Sequence, residues 1–332
     1  MKREKLIITL NILMIFLLFI RVIYSAEGVN KKEELTLFPN QSLEWSGYTQ
    51  VRYTHWKENT DGFRIRRARF SLKGAILENI NYKLQIDTVK SPILLDALIE
   101  VKLISHAKLT FGQFKVPFSL ENLSSSSDLD TINRSLTVEK LCPGRDIGAQ
   151  GRDIGLVFKG QFSKIEYALG VFNGSGINKT DSNDQKDAAG RLVFYPFGFL
   201  TLGLSYYHGK YSPQSNLPIT DRDRTGLEMY FTRGEFSVKG EYVSAKDDKI
   251  CRYGWYIQGG FFFVPKKIQA VVKYDCFDQD MEIHEDKMSI VTFGLNWLFS
   301  DRTKFQVNYE YHKDESNKAS NNVILAQFQA GF

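Results

Sequence analysis

The chain has 332 residues, 43% of them hydrophobic and 14% aromatic, with a formal net charge of +5. The first 26 residues hold Lys2, Arg3, Lys5, Arg21 and a single acid, Glu4, so without them the charge falls by three to +2. A balance that small, with no clustered basic face, excludes a nucleic-acid partner. The three cysteines, Cys142, Cys251 and Cys276, are too few and too unevenly placed for a disulfide scaffold.

Residues 1–26 have the layout of a secretory leader: a basic start, an apolar run from Leu6 to Ile20, then Ser25 and Ala26, after either of which cleavage is compatible. The apolar run stops at Arg21, short of the roughly 20 residues a spanning helix needs. Residues 27–43 are expected to form a short periplasmic N-terminal segment. Beyond it no stretch is apolar enough for a membrane helix, yet aromatic side chains recur at nearly every segment edge. A bilayer offers the backbone no water, so an exported chain of this kind crosses it only as a closed barrel.

From residue 44 onward the hydrophobic pattern has period two, which sends successive side chains to opposite faces of a strand. Val291, Phe293, Leu295, Trp297 and Phe299 fall on one face, and Thr292, Gly294 and Asn296 on the other. Segments of this kind are expected at 44–56, 63–76, 80–90, 93–103, 107–116, 152–160, 163–173 and 187–196. Eight more follow at 200–210, 223–233, 235–246, 250–264, 267–278, 288–299, 303–313 and 323–332, making an antiparallel transmembrane barrel of about sixteen strands over 44–332. Tight turns such as Arg233-Gly234 alternate with longer polar loops such as 174–186 and 279–287, the asymmetry of periplasmic turns against outer loops. The last segment, apolar at Ile324, Ala326, Phe328 and Ala330, ends on Phe332, an ending similar to the signal read by outer-membrane barrel assembly machinery.

One connection breaks the rhythm. Residues 117–151 contain no convincing strand but do carry Pro117, Leu120, Leu123, Leu129, Ile132, Leu136, Val138 and Leu141, too many apolar groups for a solvated tail. This third outer loop is expected to fold inward against the barrel wall. By alternation, Arg52, Arg67, Arg69, Lys73, Lys83, Lys108, Lys159, Arg191, Arg224, Lys239, Lys273 and Lys304 point into the lumen, facing Asp87, Asp96, Glu100, Glu166, Glu228, Glu241, Asp275 and Glu310. Arg67 and Arg69 are neighbours on one face and repel unless an anion lies between them. The near-repeat of Gly-Arg-Asp-Ile-Gly at 144–148 and 151–155 fits turn geometry at the foot of the loop.

The run from Gly112 to Glu121, Ser124 to Asp128, Asn133-Arg134-Ser135 and Pro143 to Gly148 resembles the constriction-loop segment of the phosphate-selective porin O and P family. Phe63 to Gly74 is similar to that family's second strand. The resemblance implies a trimeric, water-filled, sixteen-stranded channel in the outer membrane of a Gram-negative bacterium. Its third loop would narrow the pore while Arg and Lys side chains guide anions such as phosphate. The expected pore-lining residues are Arg52, Arg67, Arg69, Lys73, Lys115, Ser124, Ser125, Arg134 and Arg145. Against phosphate selectivity, the segment 115–152 is formally neutral, with five basic and five acidic residues. A non-conducting structural barrel or adhesin, its lumen plugged by the loop, is the rival reading. The five histidines sit in no nucleophile elbow or metal-binding pattern, so neither an enzyme nor a cofactor is expected.

Overall fold

The computed structural model describes residues 43–56, 61–181, 183–212, 219–316 and 319–332; the expected leader and residues 27–42 lie outside them. The strands are β1 (Glu44–Trp56), β2 (Gly62–Leu77), β3 (Ile80–Asp87), β4 (Leu94–Ile104), β5 (Ala107–Lys115) and β6 (Arg152–Phe162). Next come β7 (Ile165–Phe172), β8 (Asp187–Phe197), β9 (Leu200–Tyr211), β10 (Thr220–Arg233) and β11 (Phe236–Asp247). The set ends with β12 (Ile250–Val264), β13 (Ile268–Asp278), β14 (Met288–Leu298), β15 (Lys304–Asp314) and β16 (Ala319–Gly331). Each pairs antiparallel with its sequence neighbours, and β1 closes on β16 from Tyr48↔Gly331 to Trp56↔Val323. Closure leaves no strand edge, which is what permits a sheet to stand in lipid.

Alternation accounts for both surfaces. Phe293, Leu295 and Trp297 lie exposed on the outside of β14, while Thr292 and Asn296 are buried inside. Near the end carrying the short turns outward rings cluster: Trp45 meets Phe332 across the β1–β16 seam at 5.8 Å, and Trp297 stacks on Phe299 two residues along at 5.5 Å. Phe332 also exchanges backbone hydrogen bonds with Gly47, and its carbonyl accepts one from Arg302 at 2.6 Å.

The strands extend past the hydrophobic pattern in two places. β16 starts at Ala319 because the backbone ladder with β15 runs through Asn321 and Asn322, and β10 starts at Thr220 by pairing with Tyr211. The outer connections are also not uniformly long: Asp248 and Lys249 alone join β11 to β12, with Asp248 at φ 52°.

Residues 116–151 turn into the lumen and hold two short helices, α1 (Leu120–Leu123) and α2 (Leu136–Leu141). Ser119 and Ser135 cap them, each side-chain oxygen accepting from the backbone three residues on at 3.1 Å. Val116, Phe118, Val138, Leu141 and Cys142 from the loop pack against inward Phe114, Val157, Phe172, Tyr207, Val243 and Tyr256 of the wall. This is the molecule's largest buried apolar cluster among the described residues, and it anchors the loop to the wall. Gly144, Gly148 and Gly151 all have φ near +76°, so the repeated motif serves the turns that return the chain to β6.

Candidate functional site

Two wall carboxylates receive the loop helices by their leading backbone N–H groups. Glu241 accepts from Leu120 at 3.0 Å and Glu121 at 2.7 Å, and Asp275 accepts from Leu136 at 3.0 Å. Farther along, Asp130 accepts from Lys239 at 2.8 Å and Gln258 at 2.7 Å, and the Ile132 amide donates to Asn308 at 2.6 Å. The loop therefore reaches across the lumen to β11, β12, β13 and β15.

Most inward cations are neutralised. Arg69 pairs with Asp87 at 2.9 Å, Lys83 and Arg152 share Asp96 at 2.6 Å each, and Lys108 and Lys159 share Glu100. Arg191 pairs with Glu166 and Glu228, Arg224 with Asp146 and Asp247, and Lys239 with Asp130. These pairs hold the wall in shape and leave little net field.

Arg67 and Arg134 differ. Arg67 is 6% exposed, and its one hydrogen bond goes to the neutral Gln50 side chain at 2.7 Å. Arg134, from the loop, donates to the Ser124 carbonyl at 2.7 Å. Nε of Arg67, and Nε and Nη1 of Arg134, are buried without a hydrogen-bond partner, as is Nε of Arg66. All three side chains line one cavity of about 220 Å³, together with Asn133, Lys273 and His312. Three carboxylates share the lining, Glu139 paired with Arg145 at 2.8 Å, Glu310 with His312 at 2.9 Å and Asp275 with Lys273 at 3.6 Å, and none of them accepts from these guanidinium groups. Buried donors without acceptors are costly, and this cavity gathers four of them from three arginines.

The charges of the loop reflect this crowding. Burial, then the nearby Arg145, lowers the Arg134 guanidinium to about 10. Burial raises Glu139, but Arg145 and Arg134 more than offset it and hold that carboxyl below its ordinary value. Lys90, in the loop between β3 and β4, falls to about 8 through burial and then through Arg66, Arg67 and Arg69.

Sequence alternation missed Arg66. A bulge opposite Gln50 and Val51 pairs Gln50 with Arg67 and Val51 with Ile65, leaving Arg66 as the extra residue. Parity inverts there: Ile65 and Phe63 turn outward, Arg64 stands opposite Arg52, and Arg66 joins the cavity. The run of arginines was the available signal.

The remaining expected residues are distributed as follows. Arg52 braces the loop, donating to Asn133 Oδ1 at 3.0 Å, the Ile132 carbonyl at 3.3 Å and Gln327 at 3.3 Å. Arg69 spans from Asp87 to Ser126 and Gln150 of the loop. Lys115 donates to the carbonyls of Leu123 and Ser124 at 3.0 and 2.7 Å. Ser125 pairs with Ser127 Oγ at 2.7 Å. Arg145 is tied to Glu139 and Asn122, which spends its charge. Lys73 lies apart at the turn-side rim, with Glu44 at 3.3 Å, and joins none of these groups.

A closed sixteen-stranded barrel with a charged lumen narrowed from within defines an outer-membrane channel. The chain belongs to the family described as phosphate-selective porin O and P, whose model matches residues 44–220 and 217–332. Its fold is similar to an anion-selective porin from Comamonas acidovorans (TM-score 0.70, 15% identity, covering 88% of this chain and 100% of that one). It is also similar to the channel DcaP of Acinetobacter baumannii (TM-score 0.67, 10% identity, 88% and 97% covered). OmpT of Vibrio cholerae in its trimer form is a third likeness (TM-score 0.59, 12% identity, 87% and 99% covered). No curated protein sequence matches the chain. Family and barrel together put the protein in the outer membrane of a Gram-negative bacterium.

Proposed function

We propose that this porin is a passive diffusion channel for small hydrophilic solutes that favours anions, phosphate among them. The observation that carries the reading is the set of buried guanidinium N–H groups of Arg66, Arg67 and Arg134 that lack acceptors around one cavity. Fixed cations beside a narrow passage lower the entry barrier for anions and raise it for cations. The family description and the anion-selective likeness agree with this reading. Assembly as a homotrimer embedded in outer-membrane lipid belongs to the same proposal, supported by the trimer form of a similar barrel. So does removal of residues 1–26 on export. Transport, not catalysis, is the activity assigned.

The test is chloride current through the refolded protein in a planar bilayer while phosphate is added. Under the proposal, phosphate reduces the current in a saturable manner, and Arg134→Gln raises the concentration needed. A current indifferent to phosphate removes phosphate from the proposal, and a bilayer that never conducts makes the barrel a structural one.

A further inference from the structure

On the turn side of the loop, two cavities of about 650 and 260 Å³ share Thr110, Phe114, Lys115, Leu123 and Lys159, so they form one vestibule below the constriction. Its lining includes Leu98 and Ala168 on the wall and Leu123 on the loop. Leu98 and Ala168 both pack against the buried cluster that contains Val157, and both remain only partly buried.

At the ceiling of the vestibule stands Lys115. Its ammonium is held by the carbonyls of Leu123 and Ser124, and no carboxylate lies within ion-pair distance of it among the described residues. A lysine carries three donors, so one N–H remains for a ligand. The neighbouring cations Arg152 and Lys159 are already paired, with Asp96 and Glu100. The arrangement thus offers one lysine donor with no carboxylate partner beside partly exposed apolar side chains. Phosphate, strongly hydrated on all sides, gains nothing from those side chains. An anion with an apolar body gains from both parts.

We infer that the vestibule is a binding station for small amphipathic monocarboxylates, with the carboxylate at Lys115 and the apolar body against Leu98 and Leu123. This rests on the anion-channel reading and names a solute class for it.

Benzoate and acetate serve as probes, because they share a carboxylate and differ in apolar surface. Each is titrated against chloride current through the full refolded protein, with butyrate as an intermediate. Benzoate is expected to halve the current at about a tenfold lower concentration than acetate, which about 60 Å² of ring surface leaving water is enough to supply. Lys115→Gln weakens the block by all three acids, and Leu98→Asn brings the benzoate-to-acetate ratio toward one. Equal potency of the three acids on the unsubstituted channel overturns the inference without reference to any variant. So does a folded Leu98→Asn channel that keeps the tenfold ratio. A channel that prefers potassium to chloride overturns the anion reading itself, whereas one that prefers chloride yet treats the acids alike overturns only the solute class.

Discussion

Replacing Arg67 by Gln removes a buried charge that has no carboxylate partner while keeping a group able to bond Gln50. Gln50 would in any case retain its bonds to Gln329 at 2.7 Å and to the Ser126 carbonyl at 3.3 Å. Arg66, Arg69 and Arg134 crowd the site, so the loss relieves repulsion, and the barrel should be as stable as before or slightly more so. For an ion passing roughly 8 Å away in water-like surroundings, one unit charge is worth about 0.5 kcal/mol. An anion loses that amount and a cation gains it, so the anion-to-cation permeability ratio drops about fivefold before screening. A Debye length of about 10 Å at 0.1 M salt reduces the drop to about twofold, and at 0.01 M most of it returns. Zero-current potentials at those two concentrations measure it, and heat-modified gel mobility checks that the barrel has folded. Lys108→Gln is the control, because its partner Glu100 keeps Lys159 at 2.7 Å. A folded Arg67→Gln channel with an unchanged potential at 0.01 M refutes the assignment.

Three further outcomes follow from the same geometry. With its ammonium at about 8 against an ordinary 10.5, Lys90 is charged in both folded and unfolded chains below pH 8, and only the unfolded chain keeps the proton between the two values. Stability therefore rises as pH passes through that window, while anion preference falls near pH 8, and Lys90→Gln should flatten that step in the zero-current potential. Phe118 is fully buried against the wall, its ring beside Gly226, so Phe118→Ala should cost about 3–5 kcal/mol in guanidinium unfolding and raise single-channel conductance as the loop loosens. Asp130→Asn weakens the bond to Lys239. Burial raises the Asp130 carboxyl, but Lys239 more than offsets this and holds it below its ordinary 3.8, so its contribution is intact above that pH and lost as pH falls. Because the side chain is 28% exposed, the effect on stability should be about 1 kcal/mol, with noisier current as the more sensitive readout.

The barrel was legible because lipid on one side and water on the other impose period two on every strand, and sixteen segments read that way correspond to the sixteen strands. The site was legible only in part. Arg67 and Arg69 follow from parity, but parity says nothing of partners, and only the fold places Asp87 on Arg69 while leaving Arg67 with a neutral amide. Arg66 escaped because one extra residue in β2 shifts the alternation without a break in composition. Lys73 satisfied the same alternation as Arg67 yet lies at the rim, since period two gives a face and not a depth. Arg145 sits in the right segment, but Glu139 cancels it through a helix-to-turn contact that six residues of sequence do not reveal.

The most direct test of the account is the zero-current potential of the unsubstituted, refolded channel across a tenfold potassium chloride gradient at low total salt. Anion preference requires the dilute side to become negative, and added phosphate should then lower the chloride current. A dilute side that becomes positive means that cations pass more easily, and the partnerless arginines at the constriction would not govern what the channel admits.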